Sequence, residues 1–97
     1  MRALFLLLAA ACVAQTPAVS RERIAALKEV DESDVAGCKP LGRFVGVSAI
    51  PGEDGLAQAH DAARARAAAA GSTHLVAADQ WQSPDAVSFA VKAYLCP

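Results

Sequence analysis

The side chains able to do chemistry are few and scattered. Cysteines stand at 12, 38 and 96 and histidines at 60 and 74, with Asp61 next to the first histidine and Asp79 five residues after the second. A zinc or copper site needs three or four such ligands, usually with two of them closely spaced. His60 and His74 fall on different predicted elements without ligand-type spacing, so two exposed histidines are the better reading. His60 with Ser72, or His74 with Ser88, would make a hydrolytic pair. No nucleophile elbow or third orienting group accompanies either. The run Asp31-Glu32-Ser33-Asp34 carries charge for a cation but lacks the spacing and closing glutamate of a calcium loop, and reads as a solvated turn. GVSAIPGEDG, residues 46–55, has glycines but no Gly-Lys-Ser/Thr and is no phosphate loop. No catalytic residue, metal ligand or cofactor is expected, and the chain reads as a non-enzyme.

The cysteines carry the remaining chemistry. The chain opens MRALFLLLAAACVAQ, with one arginine, an apolar run and then small residues. Residues 1–14 read as a bacterial secretory signal, too short for a mature membrane span. Cys12 follows Ala9-Ala10-Ala11, which resembles a lipoprotein signal box whose cysteine becomes lipidated. Alanine stands at 9 where leucine is usual, and Leu8 is one place early. Cys12-Val13-Ala14 is equally a small-x-small site with cleavage before Gln15. Both readings stay open, with the lipid anchor slightly favoured. Cys38 and Cys96 then remain, an even number in an exported chain, which favours one disulfide. The two are not a CxxC pair, so the bond reads as structural rather than redox-active.

Loss of Arg2 with the signal leaves eight basic against ten acidic residues, a net charge of −2. With no basic patch and few aromatics, nucleic-acid binding is not expected. At 97 residues the chain is long enough for one small domain. Stepping along it, residues 15–34 are a polar tether followed by RERIAALKEV (21–30). Local propensity there favours helix, although tertiary context could make it strand.

Residues 35–97 hold the domain. CKPLGRFVGVSA (38–49) predicts a strand, with Gly42 and Gly46 marking a bulge or a close approach of a helix. Leu56 to Ala70 are strong helix formers, with Glu53 and Asp54 at the positive end and Gly71 as the stop. Leu56, Ala59, Ala63, Ala67 and Ala70 share one small-residue face. THLVAADQW (73–81) predicts a second strand, with Trp81 covering the hairpin's core edge. AVSFAVKAYLC (86–96) predicts a third, with Val87, Phe89, Val91, Ala93 and Leu95 facing inward and Ser88, Ala90, Lys92 and Tyr94 facing outward.

These elements predict an α+β domain, a small βαββ sheet with one packed helix. A right-handed crossover makes the first two strands parallel. If the third strand lies between them, its end meets the start of the first, which brings Cys38 beside Cys96 as a disulfide requires.

The order VAGC-x-x-LG (35–42), ARARAAAAGSTHLV (63–76) and AYLC (93–96) resembles small bacterial envelope lipoproteins with an RcsF-like βαββ domain. The resemblance implies an oxidised Cys38–Cys96 pair and favours a strand over Ile24 to Val30. RcsF-type domains carry two disulfides where this chain has cysteines for one, so no signalling residue is carried across. The expectation is a monomeric, exported envelope protein of the periplasm, anchored to the outer membrane if Cys12 is lipidated. It would bind or monitor an envelope protein or membrane surface. Alternatives are a structural envelope accessory without a signalling role and a small metal-binding periplasmic protein.

Overall fold

A computed structural model of the chain describes residues 19–97. The signal and Cys12 lie outside the described residues. The elements are α1 (Arg21–Ala26), β1 (Lys28–Glu29), a 3-10 turn (Glu32–Val35), β2 (Lys39–Ser48), α2 (Gly52–Ala69), β3 (His74–Gln82) and β4 (Val87–Leu95). The domain is α+β, with α2 packed on a four-stranded mixed sheet of order β1-β3-β4-β2. β4 runs antiparallel to both β2 and β3, so β2 and β3 are mutually parallel, as the crossover argument requires.

The ambiguous stretch 21–30 turns out to be helix and strand in succession. Ser20 caps α1, its hydroxyl accepting from the Arg23 amide at 3.2 Å. Leu27 then turns extended and buries its side chain in the core. The amides of Lys28 and Val30 donate to the carbonyls of Thr73 and Leu75 at 3.1 and 2.9 Å, adding β1 in parallel to β3. Propensity holds only until burial of Leu27 and the open edge of β3 offer the backbone a better arrangement. The strand that the resemblance favours over Ile24 to Val30 is thus present only as Lys28–Glu29, a fourth strand beside the three of the βαββ unit.

α2 starts at Gly52, four residues ahead of Leu56, and takes Glu53 and Asp54 into its first turn. Its stop is the one expected. Gly71 has φ +90°, its amide donates to the Ala68 carbonyl at 3.0 Å, and the Ser72 amide donates to Ala67 at 3.3 Å. These two bonds satisfy carbonyls that the helix end would leave unpaired. The buried face is Gly55, Ala59, Ala63, Ala67 and Ala68. Leu56 is only half-buried and Ala70, the C-cap, is exposed, so the expected face is rotated slightly.

Gly46 explains how this small-residue face finds its place. A Cβ there would overlap the Ala59 carbonyl oxygen and the Ala63 nitrogen, so α2 lies backbone-to-backbone on β2. The close approach expected of Gly46 is thus observed, and the expected bulge falls at Leu41, between Pro40 and Gly42. A second bulge at Ala78, between Ala77 and Asp79, had no signal in the sequence.

The alternation of β4 needs two corrections. Val91 and Ala93 join the core under α2, but Leu95 is 42% exposed at the end of the strand. On the other face Ser88 and Ala90 are buried, not solvated. They are short side chains between larger neighbours, Ala90 beside Val45 and Ser88 between Val47 and Trp81. Trp81 itself does not close the core edge. It is 42% exposed on this second face, with the Arg43 guanidinium 5.8 Å from its ring.

Candidate functional site

One end of the sheet collects most of the polar chemistry. Cys38 and Cys96 form the disulfide, with Cα atoms 4.5 Å apart and both residues half-buried. The bond lies just outside the Lys39–Leu95 pair that begins β2 and ends β4. The Cys38 amide donates to Val35 O at 3.0 Å and the Cys96 amide donates to Thr73 Oγ1 at 2.9 Å. Thr73 thus ties β4 to the turn that follows the Gly71 stop. Its hydroxyl also lies 2.9 Å from His74 Nδ1, and its amide donates to Tyr94 O at 2.9 Å.

Beside the disulfide opens a cavity of about 570 Å³, within the size range of small-molecule sites. Arg23, Leu27 and Lys28 form one wall, and Thr73, His74, Leu95 and Cys96 form the other. The α1–β1 corner makes the first wall and the α2–β3 turn with the end of β4 makes the second. Arg23 is held in place, its Nη2 donating to the Ala68 carbonyl at the end of α2 over 3.1 Å.

A second cluster fastens β1 to α2. Glu29 accepts from Arg64 Nη1 at 2.6 Å and lies 2.9 Å from His60 Nε2. Arg64 Nη2 donates to Ile24 O at 2.6 Å, clamping α1 as well. The His60 ring meets Phe89 edge-on, with centroids 4.6 Å apart. Partial burial raises the Glu29 pKa, but hydrogen bonds and charge from His60 and Arg64 outweigh it and hold the carboxyl below its ordinary value of 4.5. His60 is therefore a tie between elements, and Arg64 holds both β1 and α1 against α2.

The structure does not assemble the hydrolytic pairs weighed above. Ser72 Oγ donates to Ala67 O at 2.6 Å while His60 engages Glu29. His74 lies where β3 begins and Ser88 near the far end of the β3–β4 ladder. Asp61 is exposed, and the Asp79 carboxylate accepts from the Gln80 amide at 2.8 Å. Among the described residues, no three His, Cys, Asp or Glu side chains converge on a metal-sized site. The acidic run Asp31–Asp34 is exposed, as expected of a solvated turn, and takes the form of a 3-10 turn. Asp34 Oδ2 accepts from the Asp31 amide, Glu32 pairs with Lys92 at 2.8 Å, and Val35 is buried. The Lys92 pKa is raised by the hydrogen bond and charge of Glu32.

Sequence reasoning missed the cavity because Arg23, Lys28 and His74 come from distant parts of the chain, and only the short parallel β1–β3 pairing brings them together. No periodicity or motif marks such a meeting. Comparison of the chain with protein-family models, with curated proteins and with solved structures finds no match.

Proposed function

We propose that this chain is an exported, non-enzymatic protein of the cell envelope that binds or monitors an envelope component. The observation that carries the reading is the Cys38–Cys96 disulfide. Such bonds persist in oxidising compartments and are rare in the cytosol, and small exported domains use them to supplement a limited core. The core here is of that kind, because the face α2 presents to the sheet is alanine and glycine. The leader-like residues 1–14 and the resemblance to RcsF-like envelope lipoproteins support the same reading. Cys12 is then either the lipidated N-terminus, anchoring the domain to the outer membrane, or removed by cleavage before Gln15. A sensing role rests on the resemblance alone, because fold does not settle function.

The test is the intact mass of the protein from its native host, with and without reductant. An acylated terminus at Cys12 or a chain beginning at Gln15 supports export and decides between anchored and free forms. A chain retaining residues 1–14 in the cytosolic fraction, with no gain of two hydrogens on reduction, overturns the reading.

A further inference from the structure

We propose that the cavity beside the disulfide is a binding site for an amphiphilic anion, a carboxylate or phosphate head joined to a short alkyl chain. The charged side chains on its walls are of one sign, with Pro97 also at its rim. Arg23 and Lys28 line it, and neither pairs with an acidic side chain among the described residues. No acidic side chain lines the cavity. Glu29, next to Lys28 in sequence, is occupied by His60 and Arg64 instead. This segregation is not a by-product of composition, since acidic residues outnumber basic ones in the chain.

The donors are also prepared. Arg23 is positioned by one bond to Ala68 O, which leaves its other N–H groups for a ligand. His74 Nδ1 is engaged with Thr73, and its Nε2 has no hydrogen-bond partner among the described residues. Planar guanidinium and compact ammonium together suit a carboxylate or phosphate head.

Ala26, Leu27 and Leu95 give the lining an apolar part beside the Ser72 and Thr73 hydroxyls, which are already engaged within the protein. Leu27 is in the core, whereas Leu95 is one of the few large hydrophobic residues left open to solvent. An alkyl chain lying against Leu95 would cover it while the head meets Arg23, Lys28 and His74. The site does not depend on where the protein resides, so it stands or falls apart from the export reading.

Titration of isotope-labelled protein purified from its host, followed by amide chemical shifts, tests the site. The probes are octyl phosphate and octanoate, with orthophosphate and octyltrimethylammonium as the head-only and charge-reversed comparisons. The expected result is a saturable shift of the Lys28, Thr73, His74 and Leu95 amides with both octyl anions. Lys28→Gln, which leaves the Arg23–Ala68 bond intact, should weaken binding about three- to fivefold, the size of a partly exposed ion pair. Leu95→Ser should narrow the preference for octyl phosphate over orthophosphate. Comparison of monomeric octyl phosphate with phosphatidylglycerol vesicles separates a free amphiphile from a bilayer lipid, and binding of either supports the site. An equal response to octyltrimethylammonium, or no saturable response to the octyl anions, overturns the anion assignment. Orthophosphate binding as tightly as octyl phosphate overturns the amphiphile.

Discussion

Serine at Cys38 or at Cys96 would open a covalent loop whose ends lie 58 residues apart in sequence. The bond adds little contact to the folded state, because β2 and β4 are already paired from Lys39–Leu95 to Ser48–Val87. Its effect falls on the unfolded chain, which the bond holds compact. In the chain-entropy model a loop of this length is worth about 4 kcal/mol. For a domain of this size each kcal/mol moves the melting temperature by about 4–8 °C, so the expected fall is about 15–30 °C. That is a large fraction of the ~5–15 kcal/mol that holds an ordinary domain folded. Thermal and urea unfolding of Cys38→Ser, Cys96→Ser, the double variant and the reduced wild type should give four coincident midpoints, because each breaks the same bond once. A single variant melting within about 3 °C of the oxidised wild type would refute the reasoning. So would a double variant far less stable than either single one, since the sulfurs would then be acting through separate packing.

Three further outcomes follow from the same geometry. Gly46→Ala places a methyl group where the Ala59 carbonyl and the Ala63 nitrogen already sit. It should destabilise by at least the 1–3 kcal/mol typical of overpacking, read by urea unfolding, and a wild-type midpoint would mean that α2 does not lie on Gly46. Gly71→Val forces a β-branched residue to φ +90°, with an expected loss on the order of 1–3 kcal/mol in the same assay. An undisturbed transition would remove Gly71 as the helix stop. Glu29 has a lowered folded-state pKa, so its contribution to stability is present above about pH 4.5 and disappears as pH falls through the folded value. Glu29→Gln should flatten the acid limb of the stability profile, and an identical acid limb in wild type and variant would count against the clamp.

Local chemistry made much of this fold legible before any coordinates. The alanine run, the acidic first turn and Gly71 mark α2 and its end, and the order of elements predicts the pairing that joins Cys38 to Cys96. What escaped depends on partners distant in sequence. β1 is two residues long and exists because β3 has an edge to offer, so neither propensity nor period could announce it. The buried side of Ser88 and Ala90 comes from Val45, Val47 and Trp81 on neighbouring strands, and alternation within β4 carries no record of them. The cavity is the extreme case, since its cations belong to α1 and β1 while its opposite wall belongs to β3 and β4.

The contact between Gly46 and the α2 backbone also limits how this protein can change over generations. Most cores drift by exchanging one large side chain for another of similar volume, with neighbours adjusting in turn. Here the seam is lined by glycine and alanine, which have at most a methyl group to trim, and any enlargement at 46 meets main-chain atoms of α2 that cannot rotate aside. Compensation at a second position is closed off for Gly46 as well, because the atoms in the way belong to the α2 backbone and no side-chain exchange removes them. Descendants of this sequence should therefore keep small residues along the helix–sheet seam long after the surface has diverged. The surviving signature of the lineage would be a pattern of missing side chains rather than a motif of reactive ones.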